Sequence, residues 1–357
     1  MPEASFLPMT RVLYRKAQFP VLQNRLYSSM EEAIGCPKGD IAIVQNLSTG
    51  LVYNAAFRPE LMVYDADYNN EQSISGVFQT HLDEAAQLIE ARMGKTGLVE
   101  VGCGKGFFLE LLLKRGVEVT GFDSTYDGGN PRVVKRHFEP GIIKSPVRGL
   151  ILRHVLEHIP GPIDFLFRLR QANGDQGLIY IEVPCFDWIM HRRAYFDIFY
   201  EHVNYFRLSD FHRMFGGVIE SGRCFGDQYL YIVADLTTLR TPSVDEPYAV
   251  EFPADFLSGL SSCQQSSTNV CVWGGASKGV IFSLLRERMG MPVDMVIDIN
   301  PAKRGKYLPG TGLQVQSPAE ALEKLAAGSS IYVMNSNYLQ EIKTMSNNRY
   351  HYIEVDQ

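Results

Sequence analysis

The sequence has little that would tie it to a membrane or a nucleic acid. No apolar run approaches the roughly 18–20 residues that a membrane helix requires, so no bilayer span is expected. Neither sign of charge dominates: 34 Lys and Arg against 40 Asp and Glu leave a net charge of −6. That balance offers no basic footprint for nucleic acid or an anionic lipid surface. The six cysteines (Cys36, Cys103, Cys185, Cys224, Cys263 and Cys271) include no C-x-x-C pair. They read as reduced, incidental thiols of a cytoplasmic protein. The opening residues Met1-Pro2-Glu3-Ala4-Ser5 lack a basic segment followed by an apolar one, so no secretory signal is expected. Neither glycine-rich turn carries the dinucleotide spacing G-x-G-x-x-G, and the second is not a P-loop because Val280 follows Gly279.

What the chain does have is 357 residues of ordinary globular composition, 45% hydrophobic, enough for two or three domains. Its organising stretch is Leu98-Val99-Glu100-Val101-Gly102-Cys103-Gly104-Lys105-Gly106-Phe107-Phe108. It reads as a buried strand, a turn and a helix start. Glycines at alternate positions bare one side of the backbone, and the following helix offers free N–H groups. Glu100 lies at the carboxyl end of the strand, where open α/β sheets bind ligands. The pattern E-x-G-x-G-x-G resembles the first motif of class I S-adenosylmethionine (SAM) methyltransferases. About 20 residues later, Val117–Asp123 reads as the next strand. It ends in Asp123, placed to accept from both vicinal hydroxyls of a ribose.

Before that core, residues 1–75 read as a small leading region. It holds two short strands, 41–46 and 50–54, and an aromatic, acidic segment, 62–70, that suits a lid carrying Tyr64 and Tyr68. A helix is expected over 75–93, with Val77, His81, Ala85, Leu88 and Ile89 as its stripe. Short strands are expected at 142–144 and 149–152, a helix at 163–171 and an apolar strand at 177–184. An antiparallel pair at 218–221 and 229–234 would close the sheet. Alternating strands and helices imply a parallel sheet covered on both faces. Proline and charge mark a linker over 239–256. A second, half-length Rossmann-like unit follows at 257–357. Its strands are expected at 270–273, 293–298, 330–335 and 352–355, and its turn, Gly274–Gly279, brings Lys278 toward any bound phosphate. The fold class is therefore α/β: a doubly wound sheet with antiparallel closing strands (76–238), a leading region and a second Rossmann-like domain.

Methyl transfer is an in-line displacement in which the protein positions two partners and removes a proton. The base candidates are histidines near the carboxyl ends of strands. One group is His154-x-x-Glu157-His158; the other is Tyr200-Glu201-His202 within Tyr195–Phe206. A neighbouring carboxylate can orient such an imidazole. The order H-x-x-E-H is not the metalloprotease order H-E-x-x-H, and no third ligand is evident, so no metal is expected.

With these pieces in hand the chain resembles the SAM-dependent C-methyltransferases that act on nucleotide-linked 4-keto-deoxysugars in bacteria. The resemblance rests on V-E-V-G-C-G-K-G-F-F-L (99–109), R-H-V-L-E-H-I (153–159), the E-H of F-Y-E-H-V-N-Y-F (199–206), W-G-G-A-S-K-G (273–279) and D-I-N-P-x-K-x-G-x-Y-L-P-G-T (298–311). It implies SAM held by Glu100, Gly102, Cys103, Gly104, Gly106, Phe107, Asp123 and His154, and an acceptor met by Tyr64, Tyr68 and Lys278. It also implies that His202 takes the proton beside the sugar ketone, so that the enolate attacks the SAM methyl group, with His158, Glu201 and Tyr200 in support. Two departures stand out. The family begins with a zinc module of paired cysteines, whereas here only Cys36 precedes residue 100, and Gln45–Gly50 stands where a later pair is expected. The family also tends to carry a tyrosine where this chain has Phe199.

The expected partner is thus a small-molecule acceptor, a nucleotide sugar in the most specific form, with no nucleic acid or membrane. N-, O- or C-methylation of another natural-product scaffold is the alternative. A nicotinamide oxidoreductase and a non-catalytic binding protein are the competing classes.

Overall fold

The computed structural model describes residues 10–63, 74–244, 249–262 and 270–357. Three sheets organise them. The central sheet has seven strands in the order Val218–Cys224, Tyr229–Asp235, Leu178–Pro184, Gly149–Arg153, Leu98–Val101, Val119–Phe122 and Val133–Val134. The last five are parallel; Tyr229–Asp235 and Val218–Cys224 add antiparallel pairings. This is the expected doubly wound sheet with its closing pair. Its inner strands are apolar along their length because helices cover both faces. Leu150, Ile151, Leu152, Ile179, Ile181 and Val183 are fully buried, each contributing about 1.5–3 kcal/mol.

The helix Gly76–Met93 starts at Ser75, whose hydroxyl accepts from the Phe78 N–H. Its buried stripe is Phe78, His81, Leu82, Ala85, Ala86, Ile89 and Met93. Val77 and Leu88, assigned to the stripe from sequence, sit on its margin. No strand forms at Ile142–Lys144; these residues lie in a run of turns and bends, where both isoleucines are half-buried.

The N-terminal sheet is antiparallel, in the order Thr10–Pro20, Lys38–Asn46, Val52–Asn54, Asn204–Tyr205. Thr10–Pro20 is an edge strand that the sequence hides, because Arg11, Arg15 and Lys16 break any apolar alternation. At the turn where paired cysteines were expected, Asn46 Oδ1 accepts from the backbone N–H groups of Ser48 and Thr49, at 2.9 and 3.1 Å, and from the Ser48 hydroxyl at 2.7 Å. A side-chain-closed turn shapes the hairpin here. The proline-marked stretch after residue 238 is anchored as well: Val250 N–H donates to Gln45 Oε1 at 2.8 Å, and Phe252 and Phe256 pack on Tyr14.

The third sheet is wholly parallel: Val315–Gln316, Met295–Ile297, Val270–Trp273, Ser330–Val333, His351–Glu354. The helix Ser277–Arg288 rises from its glycine turn and packs against Tyr195–Asp197 of the central unit, where Phe282 stacks on Tyr195. This contact sets the third sheet against the carboxyl end of the central one.

Candidate active site

The turn after Leu98–Val101 places Gly102, Gly104 and Gly106 at φ +75°, +53° and +83°. Glycine adopts this left-handed region without the cost that a side chain brings. At Gly102 a Cβ would strike Val155, whereas at Gly104 it would meet nothing within 4 Å. Gly104 therefore fronts open space. Its N–H donates to Asp123 Oδ2 at 2.8 Å, while Asp123 Oδ1 accepts from Thr125 N and Oγ1. Glu100 is 3% exposed, and its Oε2 has no hydrogen-bond partner among the described residues. Burial pushes its pKa up to about 8, against Arg153 and with Asp123 adding to the rise. A buried carboxyl with an unpartnered oxygen, on the strand that leads into an open glycine turn, fits the polar groups of a bound SAM. Cys103 packs against Gly121 and Leu109 in the sheet, and the Phe107 ring is exposed, so these two bring backbone rather than side chain to the turn.

Two strands further on, the chain leaves Arg153 and enters His154 at φ +53°, a strained conformation for a non-glycine residue. What holds it there is Glu182, fully buried on the neighbouring strand. Its carboxylate accepts from Arg153 at 2.7 Å and from Tyr180 Oη at 2.6 Å, and it contacts His81 Nε2 at 3.0 Å and His154 Nε2 at 3.1 Å. Burial alone would raise the Glu182 carboxyl, but Arg153, His154 and His81 hold it well below the usual range. His154 Nδ1 reaches Glu157 Oε1 at 3.3 Å. Burial pushes the His154 imidazole down; the bonds to Glu157 and Glu182 outweigh this and raise its pKa to about 9. His154 is accordingly an imidazolium at neutral pH.

His158 and His202 meet with ring centroids 4.9 Å apart. The loop bearing His202 is pinned from both sides: Val203 N–H donates to Glu157 O at 2.8 Å, Asn204 Nδ2 to Leu156 O and Ile159 O, and Asn54 N–H to Val203 O. Asn204–Tyr205 then joins the N-terminal sheet, so that sheet fixes the histidine loop from behind. His158 Nδ1 lies 2.9 Å from the Glu201 carbonyl, to which it donates, leaving Nε2 free to accept. Burial lowers the pKa of both histidines, for His202 well below its usual value, with His158, His154 and Lys278 pushing the same way. At neutral pH both are neutral bases.

These histidines line a cleft of about 230 Å³ between the central and third sheets. Opposite them, the second glycine turn repeats the geometry of the first: Gly275 N–H donates to Asp298 Oδ2 at 2.9 Å. Lys303 lies 3.3 Å from the same oxygen. Lys278 also reaches the cleft, paired with Asp197 at 2.9 Å and donating to Gln228 Oε1 at 3.0 Å.

The structure thus brings His158, His202, His154 and Lys278 to one cleft. Tyr200 is not among them. It is fully buried, its hydroxyl accepts from Arg58 N–H at 2.8 Å, and Phe199 takes the cleft-facing place. Glu201 lines the cleft, and its carboxylate accepts from Gln23 N–H at 3.0 Å. Tyr64 and Tyr68 lie outside the described residues. Sequence reasoning passed over Glu182, whose only signal is a lone acid in an otherwise apolar strand. Two triads, His81–Glu182–Cys224 and Glu157–His158–His202, bring their donor atoms within 4.8 Å of one another. Each already abuts a protein cation, Arg153 or His154.

Residues 75–218 match the family model of a methyltransferase domain, and residues 246–351 that of a C-methyltransferase C-terminal domain. The chain is a SAM-dependent methyltransferase. No curated protein matches it. Among solved structures, the methyltransferase is similar to the 1,6-didemethyltoxoflavin-N1-methyltransferase of Burkholderia thailandensis, with bound 1,6-didemethyltoxoflavin and S-adenosylhomocysteine (14% identity, 52% of this chain and 95% of that one, TM-score 0.34). It is also similar to the PH0226 protein of Pyrococcus horikoshii OT3 (12%, 48% and 99%, 0.38) and to N-methyltransferase NodS of Bradyrhizobium japonicum WM9 (11%, 46% and 98%, 0.35). No helix among the described residues is long and apolar enough to cross a membrane.

Proposed function

We propose that the methyltransferase acts on carbon in a nucleotide-linked keto-deoxysugar. The observation that carries this reading is the pair of neutral imidazoles, His158 and His202, facing a second glycine-turn unit across one cleft. A carbon nucleophile needs a base, and a neutral histidine near a ketone-activated C–H supplies one. Gly102, Gly104, Gly106, Glu100 and Asp123 would hold SAM, which supplies an electrophilic methyl group. His202 would take the proton from the carbon beside the ketone, leaving the electron pair as an enolate. His158, its Nδ1 fixed by the Glu201 carbonyl, would share that proton or face the enolate oxygen. Gly275, Asp298, Lys303 and Lys278 would meet the nucleotide portion, with 76–238 and 257–357 as the two working domains.

One observation favours a second acceptor class. Phe199 lies against His202 with centroids 3.9 Å apart and offers no hydroxyl to a ketone oxygen, which suits methylation of another natural-product scaffold. Isothermal titration with S-adenosylhomocysteine, alone and with a panel of nucleotide sugars, tests the sugar reading. Tighter binding in the presence of a nucleotide sugar supports it. Binding of S-adenosylhomocysteine that no nucleotide alters moves the acceptor to the second class.

A further inference from the structure

The family resemblance gives Glu201 the supporting role, yet the Glu201 group that bonds a histidine is its main-chain oxygen, while its carboxylate accepts from Gln23 N–H. The acid that stands beside them is Glu157. It is 1% exposed and lines the cleft. Its Oε1 is 3.3 Å from His154 Nδ1, and its Oε2 has no partner among the described residues. One carboxylate oxygen lies within 4.8 Å of a nitrogen of both His158 and His202. Behind it, His154 is locked to Glu182, which Arg153, His81 and Tyr180 hold in place.

We propose that Glu157 is the positioning carboxylate of the histidine pair, and that His154, locked to Glu182, holds it on the cleft wall. The role in methyl transfer rests on the function proposed above; the charge chain itself does not. A proton that leaves the acceptor carbon for an imidazole nitrogen creates an imidazolium, and Glu157 faces that new charge. His154 opposes it and keeps the resting pair neutral. Lys278 from the helix Ser277–Arg288 adds to His154, its charge offset by Asp197. Glu201 meets His158 through its carbonyl, and Tyr205 and Tyr229 stay uncharged because burial raises both phenols.

The chain is tested by following histidine C–H resonances with pH in the free, full-length protein. Glu157→Gln removes a negative charge and is expected to move the His158 titration down. His154→Gln removes a positive charge and is expected to move His158 and His202 up. Glu182→Gln is expected to act like His154→Gln by lowering the pKa of His154 itself; where that variant does not fold, His154→Gln carries the arm. Shifts of opposite sign in Glu157→Gln and His154→Gln support the proposal, since a merely structural role would change stability without dividing the directions. Unmoved titrations, or shifts of the same sign, overturn it. No acceptor or methyl donor is present, so failure here is separate from failure of the sugar reading.

Discussion

The backbone N–H of Gly104 donates to Asp123 Oδ2 at 2.8 Å, joining the glycine turn to the acid that ends the next strand. The contact orients a carboxylate toward the open space in front of Gly104. Charge-assisted hydrogen bonds contribute about 1.5–3 kcal/mol each. Asp123→Ala is therefore expected to weaken S-adenosylhomocysteine binding by about 10- to 100-fold, measured by titration calorimetry. Gly104→Val is expected to abolish that binding while the protein stays folded, because its Cβ meets only the space proposed for the ligand and the φ of +53° costs about 1–2 kcal/mol.

His202→Ala and His158→Ala remove base candidates without touching the glycine turn. Positioned general bases contribute about 10²–10⁴-fold. A loss of turnover in that range for His202→Ala, with S-adenosylhomocysteine affinity unchanged, is the expected outcome. Since burial lowers the pKa of both imidazoles, kcat is expected to hold as the pH falls below 6.5, the ordinary histidine value, and to drop only at more acidic pH.

Stability carries its own pH signature. His154 has its folded pKa raised from 6.5 to about 9, so its contribution is complete below pH 6.5 and is lost as pH rises through 9. Glu100, raised from 4.5 to about 8, stabilises below pH 4.5 and loses that contribution as pH rises through 8. Urea unfolding is expected to show stability falling from pH 6.5 to 9. The fall should be shallower in Glu100→Gln and in His154→Gln.

Glu182 holds two histidines, one arginine and one tyrosine on a fully buried carboxylate. Breaking a buried ion pair from one side costs about 3–5 kcal/mol. Glu182→Gln is expected to lose that much in denaturant unfolding, far more than Glu60→Gln at the solvent-exposed Arg58–Glu60 pair.

The glycine turn, Asp123 and the His154–His158 cluster were legible in the sequence because each follows a buried strand, where apolar runs and glycine punctuation fix the position of a side chain. The closing antiparallel pair was legible for the same reason. Thr10–Pro20 was not, since Arg11, Arg15 and Lys16 interrupt the alternation and its buried residues, Tyr14, Phe19 and Pro20, follow no period of two. His202 lies in a loop beyond the helix Phe186–His191 and was named from the motif that carries the family resemblance. The directions of the Tyr200 and Glu201 side chains were not legible, because a loop without periodicity does not reveal which way its side chains turn: the backbone N–H groups of Arg58 and Gln23 hold Tyr200 and Glu201, and Phe199 and His202 line the cleft. Glu157 was read only as a neighbour of His158. Its place depends on Glu182, 25 residues away along the chain and visible only once strands pair.

The central claim, base-assisted methylation of carbon in the cleft, is tested most directly by the fate of a ¹³C-labelled methyl group. The protein is incubated with methyl-labelled SAM and a panel of nucleotide-linked keto-deoxysugars, and the product is read by carbon–proton correlation NMR. The expected result is a labelled methyl bonded to the carbon beside the ketone, absent with His202→Ala. A label on nitrogen or oxygen, or carbon methylation that survives loss of both His158 and His202, would contradict the account.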